Sequence, residues 1–536
     1  MFKLMKYRNK ATLKNLILCG MALLIPCGSS ALADWSSDPL INTVLADRVG
    51  EQTQVKIVLH PDGGAYVSWF DNSAGGYDVY LQRLDANGAE LWPHNGVLLA
   101  NRSFSSTQDY DLDIDAGGNA LLAFRDDRSG STQITATRVS PTGTQLWGAT
   151  GVQVTSGGAF VAAPKIAGTT DGAIVVAWTN NGDVVLQKLN SSGVVQWGAG
   201  VLLTDPAISI SASDLDASDA GSVIISVVRG FLGPKSLLAQ KISPTGATLW
   251  GVSLLPVFDG GSLQTANFPQ FVPDGNGGAV FGWYGVGPLQ CYAQHILANG
   301  TEKFPHDGVV ASTLLSQLRV NPSVAYDATT DSIYLFWVET NTLQSQHGVY
   351  GQKFSSAGIR QWTDTGVVVV PVGGADMSQV RTIPQGGGAT VCFVQALSFG
   401  NERVKAARYD AAGNPVWTPG IVDVSSVASG KSRLEVALRS DDTAIVGWKD
   451  SRNDFGDIFG QNLNLDGSLG VSVIPCPGDI TPVGGNGTVN IDDLVAVLNA
   501  FGPCLGCAAD ITPPGGNGVV NIDDLVAVLN AFGACP

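Results

Sequence analysis

Charge is scarce in this chain. Only 14% of its 536 residues are Asp, Glu, Lys or Arg, against 66 glycines. That balance is low for a helical enzyme and ordinary for short strands joined by tight turns. Histidine is scarcer still. His60, His94, His295, His306 and His347 are the whole set, and they form no metal-ligand spacing. No Gly-x-Ser-x-Gly elbow or phosphate loop occurs between a strand and a helix, so no familiar nucleophile or nucleotide site is legible. Beyond the first 33 residues no apolar run suggests a membrane span. No helical pattern interrupts residues 40 to 470. Cysteine is used sparingly, and four of its eight occurrences bracket the last sixty-one residues.

The N-terminus has the layout of an export signal. Lys3, Lys6, Arg8, Lys10 and Lys14 precede the apolar stretch Leu16 to Pro26, and Ala31-Leu32-Ala33 is a small-residue cleavage site. Residues 1–33 are therefore expected to be removed after Ala33, leaving a protein that is secreted or held at the cell envelope or surface. The formal net charge of −16 would fall to −21, because the segment carries five positive charges and no negative ones. So acidic a surface argues against nucleic acid and anionic membranes as partners.

A worn repeat fills residues 34–474. Glycine recurs at 88, 143, 193, 246, 300, 358, 413 and 467. Six residues earlier the chain usually has glutamine: Gln82, Gln187, Gln240, Gln294, Gln352 and Gln461. Four residues later comes Trp92, Trp147, Trp197, Trp250, Phe304, Trp362 or Trp417, and the eighth copy ends in Val471. Strand-like runs and turns such as Asn181-Gly182 and Asn-Ser-Ser-Gly193 make each unit all-β. Four short strands in such a unit is a propeller blade. The sequence thus predicts one eight-bladed β-propeller, with a seven-bladed ring or two smaller rings as alternatives. Residues 39 to 45 resemble the strand after each tryptophan, so the N-terminus can complete the last blade and hide its edge.

The repeated tryptophans suit blade-to-blade packing better than sugar stacking. The glutamines read as strand hydrogen-bonding positions. Asp111, Asp113, Asp115, Asp126 and Asp127 could pair for glycoside hydrolysis, but their neighbours suggest solvated turns, and no catalytic residue is assigned. Trp448-Lys-Asp450-Ser-Arg452 and Phe124-Arg-Asp126-Asp-Arg128 echo each other as paired loop charges. Cys291 and Cys392 lie in apolar strand-like runs and read as buried thiols.

Residues 476–536 hold a second repeat, 476–504 and 507–535. Its core is Gly-Asn-Gly-Thr-Val-Asn-Ile-Asp-Asp-Leu, followed by an apolar helix with Leu494, Val497, Leu498 and Phe501 along one face. Taking Gly487 and Gly518 as the turn of a calcium loop sets the ligands. They are Asp479, Asn486, the Thr488 carbonyl, Asn490 and Asp493, then Asp510, Asn517, the Val519 carbonyl, Asn521 and Asp524. This phrase resembles dockerin repeats, in a cysteine-flanked variant. That resemblance implies a small all-α domain, bound Ca2+ and docking to a cohesin-like protein or a cell-surface anchor, with Ile491, Asp492, Ile522 and Asp523 at the contact. One departure stands out. Asp479 and Asp510 lie seven residues before position five, where the pattern has four, so a bulge, Thr481/Thr512 or a backbone carbonyl must replace the ligand at position three. Bridges within each repeat, Cys476–Cys504 and Cys507–Cys535, are the simplest of three pairings.

The expectation is a non-catalytic scaffold. The propeller displays a surface for a glycan or protein ligand, and a calcium-dependent tail attaches it. The alternative is a polysaccharide hydrolase or lyase delivered by the same tail.

Overall fold

The computed structural model describes residues 35–104, 110–231, 233–470, 476, 478–481, 488–504, 507–513 and 516–534. The expected export signal (residues 1–33), Val471, Asn486 and Cys535 lie outside the described residues.

Eight antiparallel four-stranded sheets follow one another, each nearly always built from four consecutive strands. Blades 1 to 7 cover 52–100, 111–153, 161–203, 210–258, 271–310, 318–373 and 376–429. Blade 8 departs from this order. Its first three strands are Lys431–Leu438, Ala444–Asp450 and Asp457–Leu463, and the fourth is Thr43–Ala46 from the N-terminal end. Thr43 pairs with Gly460 and Val44 with Phe459, so the ring closes as expected.

Each repeat glycine stands at positive φ, between 74° at Gly358 and 88° at Gly88, Gly246 and Gly413. Glycine is needed there. The backbone is left-handed, and at Gly88, Gly300, Gly358, Gly413 and Gly467 a Cβ would also strike the aromatic of the blade before: on Gly300 it would sit 2.9 Å from the Trp250 ring. The indoles also donate across the seam, as Trp92 Nε1 does to the Pro141 carbonyl (3.1 Å) and Trp417 Nε1 to that of Leu465 (3.0 Å). The tryptophans are thus blade-to-blade packing. The missing eighth aromatic is found elsewhere in the chain. Trp35 packs on Gly88 and takes that place, because the N-terminal segment builds the outer part of blade 8.

The glutamines behave the same way in every blade that has one. Gln82 Nε2 donates to the Pro93 carbonyl (3.0 Å) and Gln294 Nε2 to that of Pro305 (3.0 Å). Gln461 instead donates to the Ser36 carbonyl (2.6 Å), again because that segment replaces the local one. A fully buried amide has to find such partners or lose the energy of its water contacts.

The tail holds two nine-residue helices, α1 (Ile491–Asn499) and α2 (Ile522–Asn530). The two repeats interlock: Thr488–Val489 pairs with Gly533–Ala534, and Gly502–Pro503 with Val519–Val520. Two expectations need correction here. Cys504 is bonded to Cys507, so the bridge joins the repeats where it was expected to close each one. The two cysteines stand only three residues apart, with Cα atoms 5.7 Å from each other, at the junction of the repeats. Cys476 is also disulfide-bonded, to a partner outside the described residues. The second correction concerns the helix face. Val497 is buried, whereas Leu498 and Phe501 are half exposed, since α1 turns Val497 toward α2 and leaves the next turn in water. Cys291 and Cys392 are buried free thiols, as read.

Candidate functional site

The first strand of each blade faces the axis, and together these strands line a central cavity of about 790 Å³. In six of them the register slips by a bulge. The residue that follows the slip is Lys56, Lys165, Asp214, Ser323, Arg381 or Glu435. A bulge re-aims the side chains after it, and here it brings polar groups to the axis.

Asp111 and Asp113 belong to this ring. They lie on the inner strand Asp111–Ile114 of blade 2 and face the cavity, which corrects the turn reading. Asp115 and Asp126 do cap loops, held by Arg138 and Arg128 (2.5 and 2.8 Å). The axial groups also join neighbouring blades. Asp111 accepts from the Ile166 amide (3.0 Å), Asp113 from that of Gly168 (2.7 Å) and Asp214 from that of Phe271 (3.1 Å). Lys56 lies 3.6 Å from Asp111, and Arg381 3.3 Å from Glu435.

Four carboxylates, Asp111, Asp113, Asp214 and Asp216, share one side of the axis. Burial pushes Asp113 up to about 7, against the pull of the Gly168 and Ile114 amides, and Asp111 and Asp115 add to the rise. Asp214 is raised by burial, with Lys165 opposing. Burial again comes first for Asp216, which the charges of Asp214, Asp113 and Asp111 raise further. A cavity with carboxyls shifted this way can hold a proton near neutrality, bind a cationic or hydroxyl-rich ligand, or serve acid–base chemistry.

The sign of the pH effect follows. An Asp raised above its unfolded value of about 3.9 stabilises the fold fully below that value and loses the contribution as pH climbs through the folded value of about 7. Wild-type protein should therefore melt lower at pH 8 than at pH 5. Asp113→Asn, fixed in the neutral form, should flatten that difference by a few degrees in a scanning-fluorimetry series. An unchanged pH profile would rule out the axial Asp as its source.

A sequence signal for this ring exists. Lys56, Asp111, Asp214, Arg381 and Glu435 each lie 32 residues before a repeat glycine, at 88, 143, 246, 413 and 467. The register was available, but the residue type changes from blade to blade.

In the tail the expected ligands are already engaged. Asp493 is fully buried and accepts from the Ile480, Thr481 and Asn490 amides, each at 2.8 Å. Burial raises its carboxyl, but these three donors outweigh it and hold it below the usual range. Asp524 repeats the arrangement with Ile511, Thr512 and Asn521. Asp510 accepts from the Asn517 and Gly518 amides (2.9 and 2.6 Å). Asn490 and Asn521 cap the helices by accepting from the amides of Asp492 (2.7 Å) and Asp523 (2.6 Å). Asn517 Oδ1 accepts from the Val519 amide (3.0 Å). Ile491, Asp492, Ile522 and Asp523 are exposed at the helix starts. The Asp479 amide donates to the Cys476 carbonyl (2.8 Å), and Thr488 opens the Thr488–Val489 strand.

No protein-family model matches the chain, and no curated protein matches it. Among solved structures it is similar to a polysaccharide lyase, an ulvan lyase bound to -[GlcA(1-4)Rha3S]-, at 11% identity and a TM-score of 0.42 over 81% of this chain and 97% of that one. It is similar to the Dos1 propeller at 12% identity and 0.44, over 78% and 95%. An α-L-arabinanase of Penicillium chrysogenum complexed with arabinobiose gives 9% and 0.37, over 80% and 99%. Likenesses this distant carry no argument about what the present chain binds or does.

Proposed function

We propose that this chain is an exported, non-catalytic display protein: the propeller presents a ligand surface at its axis, and the twin-repeat tail attaches it to a cohesin-like protein or a cell-surface anchor. One observation carries the attachment reading. Each tail helix leaves the same apolar row in water. Ile491 and Ile522 are each 60% exposed, and Leu498 and Leu529 are 51% and 50% exposed. Val495 and Val526 lie between them at helical spacing. A module this small would gain by burying such rows internally, so two matching exposed faces fit a protein partner.

The test is surface-plasmon binding of the full chain to a panel of cohesin modules. Ile491→Glu or Ile522→Glu alone should bind nearly normally, because either copy can present the face. The double variant should lose affinity by about 100-fold, on the order of 3 kcal/mol. Equal binding by a chain lacking residues 476–536 would place attachment in the propeller and end this reading.

Calcium belongs to the same proposal. Asp510 keeps a lone pair on each oxygen beside its amide donors, and Asn517 and Asp524 each keep one; with the Val519 carbonyl these would offer about five of the six to eight oxygens calcium takes, water supplying the rest. Asp479, Asn486, Thr488, Asn490 and Asp493 would serve the first loop, and Asp510, Asn517, Val519, Asn521 and Asp524 the second. Bound calcium would supply charge that draws the loop closed. Asp510→Asn keeps an acceptor for the amides and removes the charge. Calorimetry should then show one ion lost of two, whereas no heat at millimolar calcium in the wild type would refute calcium binding.

The raised Asp113, close to Asp111, Asp214 and Asp216, favours a second reading, a polysaccharide hydrolase or lyase acting at the axis. Assays for new reducing ends and for unsaturated ends would distinguish the two chemistries. Asp113→Asn should abolish either one.

A further inference from the structure

Two seams of the ring, four blades apart, carry the same side-chain cluster. At the seam of blades 8 and 1, His94 Nδ1 lies 2.9 Å from Glu90 and its Nε2 lies 3.0 Å from Asp47. At the seam of blades 4 and 5, His306 Nδ1 lies 2.8 Å from Glu302 and its Nε2 lies 3.0 Å from Asp259. The local phrases, Glu90-Leu-Trp-Pro-His94-Asn95-Gly96 and Glu302-Lys-Phe-Pro-His306-Asp307-Gly308, differ at three positions, and one of these, beside the histidine, lies in the cluster. Where the first has Asn95, the second has Asp307.

That difference completes a ligand set at the second seam. His306 Nε2, Asp259 Oδ1 and an Asp307 carboxylate oxygen all lie within 4.8 Å of one another. Asp307 Oδ1 is 3.8 Å from His306 Nε2. Two ligands bound tetrahedrally at 2.0–2.1 Å stand roughly 3.3 Å apart, a value that the 3.0 and 3.8 Å separations bracket. The Asp259 and Gly260 amides hold Asp307 Oδ1 in place (2.9 and 3.0 Å). Glu302 meets the other ring nitrogen, the outer partner that fixes the tautomer and ring plane of a metal-bound histidine. All three ligands reach solvent, which leaves an entry path and a fourth position for water.

We propose that His306, Asp259 and Asp307 form a binding site for a borderline divalent cation of the zinc class, with Glu302 orienting the histidine and the blade 1 cluster as its inactive counterpart. Imidazole with carboxylates selects that class over calcium, so the site is separate from the tail loops. At the first seam Asn95 brings no carboxylate: its Oδ1 accepts from the Asp47 amide (2.8 Å) and its Nδ2 donates to Asp47 (3.1 Å), so the third anionic ligand is missing.

The probe is cobalt(II), followed by visible absorption and confirmed with zinc(II) calorimetry, on untagged full chain in saturating calcium. The wild type should bind one cobalt with a tetrahedral spectrum. His306→Gln should abolish it, and Glu302→Gln should weaken it by about 10–100-fold. Asp307→Asn recreates a side-chain set that the fold already accepts at blade 1, so misfolding cannot account for its loss of binding. Asn95→Asp should raise the stoichiometry from one to two. No cobalt binding at millimolar concentration, or binding that survives both His306→Gln and Asp307→Asn, would overturn the proposal.

Discussion

Asp450→Ala should destabilise the propeller by about 3–5 kcal/mol, the range for removing one partner of a buried ion pair. Asp450 and Lys431 are both fully buried, 3.0 Å apart. Arg452 (2.6 Å), Ser429 (2.6 Å) and Trp448 Nε1 (3.0 Å) also donate to the carboxylate. Burial raises Asp450, but the Arg452 and Lys431 charges with these donors overcome it and hold it at about 2. Burial disfavours the Lys431 ammonium, and without Asp450 it would keep only the neutral Val427 carbonyl (2.8 Å) and Ser429 hydroxyl (2.6 Å) as acceptors, with no counter-charge in contact. Denaturant unfolding should show the loss. Adding Lys431→Met to Asp450→Ala should recover part of it, because the orphaned charge goes too. Strict additivity of the two changes would mean the pair is not coupled.

Removing residues 35–46 should open the ring. Trp35 and Leu45 are almost wholly buried, and at about 1.5–3 kcal/mol per side chain their loss alone removes about 3–6 kcal/mol. The deletion also strips the Asp457–Leu463 strand of its neighbour and leaves a free edge. The expected product melts well below wild type and self-associates in light scattering. A monomer with an unchanged melting temperature would show that the other seams suffice to hold the ring.

The two acidic echoes show how far local sequence reaches. Asp126 with Arg128 and Asp450 with Arg452 were legible as charge pairs from their two-residue spacing. Their depth was not legible, and both carboxylates are buried. The inner strands were harder still. Val161–Gly168 carries a proline and a register slip, so the alternation that marks a strand is broken where the polar groups turn inward. Asp111 and Asp113 were misplaced for a different reason: their strand, Asp111–Ile114, is only four residues long and runs straight into the acidic turn at Asp115, so its two carboxylates read as turn residues. The histidines escaped because His306 meets Asp259 across a seam, 47 residues apart, and no short motif spans that distance.

The sequence by itself determined the blade plan. A glycine, a glutamine and an aromatic recur in one register because each serves a position that the next blade rebuilds identically. It also marked the twin helices of the tail, because the apolar spacing that signals them is local. Only the tertiary structure decided which side chains reach the axis, where Trp35 seats, and that Cys504 joins Cys507. The first two outcomes depend on ring closure and bulges, which bring together residues whose separation along the chain leaves no periodic trace; the third is a choice among pairings that cysteine spacing alone leaves open.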